Sequence, residues 1–215
     1  MLKDKDIREP LFDFLEERFG KNRILEEKNM GVSSRADVVM VLPNQLIGIE
    51  IKSDVDSYVR LDSQVSDYDR CFDGNIIVVG SSHALHVEEH VPDYWGIISV
   101  EEDSEESLDF YVVREMKENP KLNPKEKLRF LWRPELAHIQ EKYGLYKYAG
   151  KSKDFVQDYL LESVSPEDLA REISEELFER DYTKIHEQIN AYRKAHGQKP
   201  RIRRKRRKRR RTVTH

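Results

Sequence analysis

Apolar residues recur at helical spacing in Ile7, Leu11, Phe14, Leu15 and Phe19, which predicts an amphipathic helix over 5–19 that stops at Gly20. The period then shortens. Residues 23–30 (Arg-Ile-Leu-Glu-Glu-Lys-Asn-Met) read as a first strand and Gly31 to Ser34 as a loop. Residues 35–52 read as two apolar strands joined by a turn at Pro43-Asn44. Strand side chains alternate between faces, so Glu50 and Lys52 share one face while Ile49 and Ile51 share the other. Ser53 and Asp54 are short polar residues suited to capping the helix that follows. Tyr58, Leu61, Val65, Tyr68 and Phe72 step by three and four along that helix, a buried stripe on which Gln64 and Tyr68 share a face. Asn75 to Gly80 is a strand buried on both sides, followed by a short helix carrying His83, His86 and His90. Two more strands, 94–100 and 108–114, joined by the acidic turn 101–107, complete the sheet edge. Asn119-Pro-Lys-Leu-Asn-Pro is a linker by composition. Residues 125–142 and 152–195 then read as helices, with Ser165-Pro166-Glu167-Asp168 a helix start.

Composition sharpens this α/β outline. The 215 residues suit one moderate domain with an appendage, and 37% charged against 38% hydrophobic residues imply a modest core under a polar surface. One cysteine, Cys71, excludes an internal disulfide and accords with a reducing cytoplasm; beside Phe72 it reads as a buried structural thiol. There is no signal peptide and no run of 18 apolar residues, so the expectation is a soluble cytoplasmic protein without a membrane segment. The net charge of −3 conceals an asymmetry. Eleven of the 38 Lys and Arg lie in 199–211, leaving 27 against 41 acidic residues in a body near −14. The tail from Gln198 is too charged to fold alone and has no aromatics, so it is expected to be disordered and to attract phosphates rather than stack on bases. The three histidines lack the cysteines or paired motif of a zinc site and read as surface residues.

The chemistry concentrates in the hairpin. A carboxylate and an ammonium lie side by side on an otherwise apolar strand, which is costly unless they are paired or bind something. Asp37 opens the preceding strand and can meet that pair across the hairpin. Asp and Glu oxygens are hard ligands suited to a divalent cation, with Lys52 close enough to hold a water or a phosphate.

Asp37 followed by Glu50-Ile51-Lys52 resembles the signature of the PD-(D/E)XK nuclease superfamily, with Ala36 in place of its proline. Gln64 and Tyr68 resemble the Gln-x-x-x-Tyr helix of that superfamily's RecB-like branch. Arg35-Ala-Asp, Ile49-Glu-Ile-Lys-Ser-Asp and the helix motif together are similar to a little-studied family of small bacterial and phage proteins, and Leu131 to Leu136 resembles its helical extension. The resemblance implies a restriction-endonuclease-like mixed sheet core flanked by helices (1–118), a helical extension (119–197) and the basic tail (198–215). It implies a Mg²⁺- or Mn²⁺-dependent nuclease acting on DNA, with RNA as an alternative substrate. Asp37, Glu50 and the Ile51 carbonyl would hold the metal, Lys52 would position the attacking water, and Gln64 and Tyr68 would orient the site. A further acid is expected from the first strand, Glu27 in preference to Glu26, or from Glu9, Glu16 or Glu17 on the first helix; Asp56 and Arg60 are candidates for the rim. DNA is expected in the cleft and on the 199–211 tail, with packing, dimerisation or substrate steering left to the helical segment. The competing expectation is a non-catalytic module of phage or defence origin with the same fold that binds DNA or a partner.

Overall fold

The computed structural model describes residues 2–30, 34–84, 86–103, 107–195 and 197. Six strands form one sheet: β1 (Arg23–Asn29), β2 (Arg35–Val41), β3 (Leu46–Lys52), β4 (Gly74–Gly80), β5 (Gly96–Glu102) and β6 (Leu108–Arg114). Their spatial order follows the chain. β1, β2 and β3 pair antiparallel, β3, β4 and β5 pair parallel, and β6 returns antiparallel to β5. The mixture follows from the connections. Short links make hairpins, whereas the parallel steps β3–β4 and β4–β5 carry helical crossovers.

Both faces of the sheet are covered. Helix α1 (Asp4–Phe19) lays Ile7, Leu11 and Leu15 on Val38, Met40, Ile47, Ile49, Ile51 and Val78. Its end is fixed by Gly20, whose φ of 71° is a left-handed conformation that favours glycine. On the opposite face α2 (Leu61–Cys71) packs Leu61, Tyr68 and Cys71, with Phe72 just beyond it, on Val39, Val41, Leu46, Ile77 and Val79. The central strands β3 and β4 are buried at every position, as expected of strands covered on both faces.

The segment after β3 departs from the sequence reading. Ser53 caps no helix; its N–H and hydroxyl both donate to Asp56 Oδ2, at 2.9 and 2.6 Å. Asp54 accepts instead from the Leu2 N–H at 3.1 Å and the Ser82 hydroxyl at 2.7 Å. A 3-10 turn at Tyr58–Arg60 intervenes, and α2 starts at Leu61 with no side-chain cap. Short polar side chains bond to whichever amide or hydroxyl lies nearest, and here that holds the loop rather than a helix end.

Beyond β4, α3 is a single turn (Ser81–Ala84) followed by a 3-10 turn at Val87–Glu89, so the three histidines do not share one helix. The stretch 119–124 is docked rather than free. The Asn119 amide donates to the carbonyls of Asp69 and Phe72, at 2.6 and 2.7 Å, and Lys127 Nζ lies 2.7 Å from Asp73. Asp69, 1% exposed, accepts from Trp95 Nε1 at 2.8 Å and the Tyr94 hydroxyl at 2.6 Å.

The two predicted long helices are five: α4 (Pro124–Leu128), α5 (Arg133–Lys142), α6 (Lys153–Ser163), α7 (Pro166–Phe178) and α8 (Tyr182–Ala195). Pro134 and Pro166 explain two of the breaks, since proline is tolerated in a first helical turn but not in an interior. Ser165 caps α7 as expected, accepting from the Asp168 N–H at 3.1 Å. Residues 1–179 form one compact unit, and the chain from Arg180 forms another in which α8 is the described helix. The basic tail at 198–215, with its expected phosphate contacts at 199–211, lies outside the described residues. Among the described residues no helix is long and apolar enough to cross a membrane.

Candidate active site on the β2–β3 hairpin

The alternation of β3 sends Ile49 and Ile51 into the α1 layer and Glu50 and Lys52 toward α2. Glu50 is 1% exposed and the Lys52 side chain 9%, so the pair is buried where water cannot screen it. Helix α2 supplies the partners, because Gln64 and Tyr68 lie one turn apart on the face that meets β3. Lys52 Nζ donates to Glu50 Oε1 at 2.5 Å and to Gln64 Oε1 at 3.0 Å. The Gln64 amide nitrogen donates to the same Glu50 oxygen at 2.5 Å. The Tyr68 hydroxyl donates to Glu50 Oε2 at 2.8 Å and accepts from the Asp37 N–H at 3.1 Å. Gly48 makes this approach feasible: a Cβ there would lie 2.3 Å from a Phe72 ring carbon and 2.7 Å from one of Tyr68.

Asp37 comes opposite Glu50, one step past the last paired positions, Val38 and Ile49. The ladder gives way there because Asp37 Oδ2 takes the Ile51 N–H at 3.0 Å. Burial, followed by the negative charge of Glu50, pushes the Asp37 carboxyl up to about 7; the Ile51 N–H and Arg8 oppose this. Burial and the same two carboxylates raise the Tyr68 hydroxyl well above its ordinary range. Asp37, Glu50, Lys52, Gln64 and Tyr68 thus converge; the strand period pairs Glu50 with Lys52 and the helix period pairs Gln64 with Tyr68, while the meeting of the two pairs was implied by the family resemblance.

Sequence reasoning missed Arg8. From α1 its guanidinium reaches the Asp37 carbonyl at 3.2 Å, the Asp37 carboxylate at 3.7 Å, Glu27 at 2.8 Å, Glu26 at 3.4 Å and Asp4 at 2.8 Å. Burial would lower its pKa, but the Asp4 hydrogen bond and the charges of Asp4, Asp37 and Glu27 together raise it. The Asp4–Arg8 spacing of one turn was visible in the sequence; where the guanidinium would reach was not. Glu27 faces β2 at the level of Asp37, between the pairs Glu26–Val38 and Lys28–Ala36, with φ at 50°. That left-handed conformation is strained for a residue with a side chain. Both Glu27 oxygens are engaged, one by Arg8 and the other by Arg35 at 2.9 Å.

The remaining candidates stand apart. Glu9, Glu16 and Glu17 are exposed, so α1 gives the site a cation and not one of these acids. Asp56 holds Ser53, and Arg60 is exposed. His83 and His90 flank the Tyr58 ring at 4.9 and 4.2 Å, while His86 is exposed. Cys71 is buried and its thiol is pushed up to about 12, chiefly by burial, which leaves it inert.

The donor set suits a hard divalent ion. A carboxylate offers about four lone-pair sites, and hydrogen bonds from Lys52, Gln64 and Tyr68 occupy three on Glu50. Asp37 Oδ1 faces Arg8 at 3.7 Å, and burial, followed by the charge of Glu50, is what pushes its carboxyl up. Among the described residues no three His, Cys, Asp or Glu side chains gather closely enough to hold a metal. Any ion would therefore draw its other ligands from backbone carbonyl and water, as Mg²⁺ commonly does.

Residues 1–205 match the family described as Bacteriophage P4 protein cII. The chain belongs to that family. This cII-family chain is 24% identical over 147 residues to "Protein cII" of Enterobacteria phage P4, which covers 67% of this chain and 55% of that protein. It thus spans about half the length of the curated relative it matches. Among solved structures it is similar to "SPO1766 protein of unknown function from Silicibacter pomeroyi", at 21% identity and a TM-score of 0.40 over 54% of this chain and 72% of the other.

Proposed function

We propose that this chain is a metal-dependent nuclease with a restriction-endonuclease-like fold, hydrolysing phosphodiester bonds in DNA. The observation that carries the reading is the convergence of Asp37, Glu50 and Lys52 on one buried patch, bridged by Gln64 and Tyr68. A fold needing only stability gains little from a buried ion pair, which apolar residues of similar volume commonly replace without loss. Asp37, Glu50 and the Ile51 carbonyl would hold Mg²⁺ or Mn²⁺. A cation there supplies Lewis acidity and a more acidic bound water. Lys52 has three N–H donors, of which Glu50 and Gln64 take two. The third can orient an attacking water or meet charge developing on the phosphate. Tyr68 fixes the spacing between the two acids, and Gln64 fixes Lys52.

The test is cleavage of circular and linear, single- and double-stranded DNA, and of RNA, with Mg²⁺, Mn²⁺ or EDTA. Cleavage should need the metal and should fall by orders of magnitude in Asp37→Ala, Glu50→Ala and Lys52→Ala proteins that remain folded. A Lys52→Ala protein that cuts as well as the parent would remove the assigned mechanism. One observation favours a second reading: Arg8 and Lys52 already set positive charge against Asp37 and Glu50. The same fold could then serve as a DNA- or partner-binding module without turnover, which binding without cleavage under every metal condition would establish.

A further inference from the structure

Far along the chain from the hairpin, the loop between α5 and α6 carries a second unusual surface. Tyr148 is its centre: its ring meets Tyr146 edge-on at 4.8 Å, Phe155 at 5.0 Å and Tyr159 at 5.0 Å. Tyr146 is 69% exposed and Phe155 38%. Aromatic side chains are costly to leave in water, and a contiguous exposed cluster marks a contact surface more often than a scattered ring does.

The charge around the cluster narrows the partner. Residues 142–153 contain four lysines and no acid; Lys142 is held by Glu172 and Glu175 at 2.7 and 2.8 Å, Lys147 by Glu141 at 2.6 Å and Lys153 by the Arg129 carbonyl at 2.9 Å, so Lys151 is the cation left beside the rings. Lys151 Nζ lies 5.2 Å over the Phe155 ring, a cation–π contact. The bordering acids are engaged: Glu141 by Lys147 at 2.6 Å, and Asp154 and Asp158 by Lys125 at 3.1 and 2.6 Å. Exposed rings beside Lys151, with Glu141, Asp154 and Asp158 neutralised, suit a ligand having flat apolar faces on a polyanionic backbone.

We propose that Tyr146, Tyr148, Phe155 and Lys151 form a docking surface for single-stranded DNA, the rings stacking on bases and the lysine meeting phosphate. A duplex hides its base faces and offers only the phosphate contact. RNA is told apart from DNA at the 2′-hydroxyl, and the oligo-U arm of the test reads that difference. The proposal goes beyond the nuclease reading and does not depend on turnover.

Its test is fluorescence anisotropy of the full-length protein with a labelled oligo-dT, a duplex and an oligo-U of equal length. EDTA prevents cleavage, and moderate salt screens the basic tail. Tyr146→Ala and Phe155→Ala should each weaken oligo-dT binding about tenfold, as expected for loss of one stacking ring, with little effect on the duplex. Tyr146→Phe should bind like the parent, and Lys151→Ala should flatten the salt dependence by about 0.7 in logarithmic slope. Unchanged oligo-dT affinity in the double variant Tyr146→Ala/Phe155→Ala, with parental melting, would overturn the proposal. So would equal losses on duplex and single strand, or tighter binding of oligo-U. A protein that cuts DNA while the double variant binds normally refutes the surface alone; one that never cuts but loses oligo-dT on substitution refutes the nuclease reading alone.

Discussion

Replacing Asp37 with Asn removes one ionisable group and keeps an acceptor for the Ile51 N–H. The Asp37 carboxyl is pushed from 3.8 to about 7 in the folded chain. In that range the folded state holds a proton that the unfolded state has released. The penalty for ionising Asp37 is therefore absent below about pH 4, grows between pH 4 and 7, and is complete above 7. At 1.36 kcal/mol for each pKa unit, the shift of 7 less 3.8 corresponds to a ceiling of about 4 kcal/mol at pH 8, and to about 1–2 kcal/mol at pH 5. The metal-free parent should thus lose roughly 2–3 kcal/mol relative to Asp37→Asn between those pH values. For a chain of this size that is a divergence in melting temperature of about 5–10 °C. Urea and thermal unfolding of both proteins in EDTA at pH 5, 6, 7 and 8 would measure it. A difference that stays flat, or that favours the parent as pH rises, would mean that Arg8 holds Asp37 ionised and that the patch has no shortage of cationic charge.

Arg8→Met should destabilise the protein by about 2–3 kcal/mol, below the value for a fully buried pair because its acidic partners are partly exposed; it should also push Asp37 further up, read as a steeper loss of stability with pH. Gly48→Ala puts a Cβ against Phe72 and Tyr68, so unfolding in urea should show a loss of about 1–3 kcal/mol from overpacking, with cleavage reduced as Tyr68 leaves Glu50. Deleting 199–215 should weaken duplex binding at low salt and flatten its salt slope, by roughly 0.9 for each phosphate released, while turnover at saturating substrate survives.

The parts of the site that follow a period were legible. Alternation on β3 placed Glu50 and Lys52 together, and the three-and-four stepping on α2 put Gln64 and Tyr68 on one face; that this face meets the hairpin was implied by the family resemblance. What the sequence concealed depends on reach and on local backbone choice. Arg8 looks like any polar-face residue of an amphipathic helix until α1 is set on the sheet. Glu26 and Glu27 are indistinguishable as neighbours, because the left-handed turn of Glu27 is imposed by tertiary contacts rather than by its type. Ser53 and Asp54 misled because the residues that cap helices also brace loops. The helix breaks at Pro134 and Pro166 were written in the sequence; between α7 and α8 the signal is Asp181, whose Oδ1 accepts from the Lys184 N–H at 3.1 Å as a helix cap.

Helix α2 is wedged between two supports. On one side lies the sheet; on the other lie Leu128, Phe130, Leu131 and Leu136, with the Phe72 and Phe130 rings 5.3 Å apart. Helices α4 and α5 with the turn between them are thus the back wall against which α2 is pressed, and the anchors Asn119 to Asp69 on α2 and Lys127 to Asp73 just beyond it rivet that wall to the helix. A chain ending near 118 would keep every residue of the hairpin and of α2 and lose the wall that holds the two in alignment.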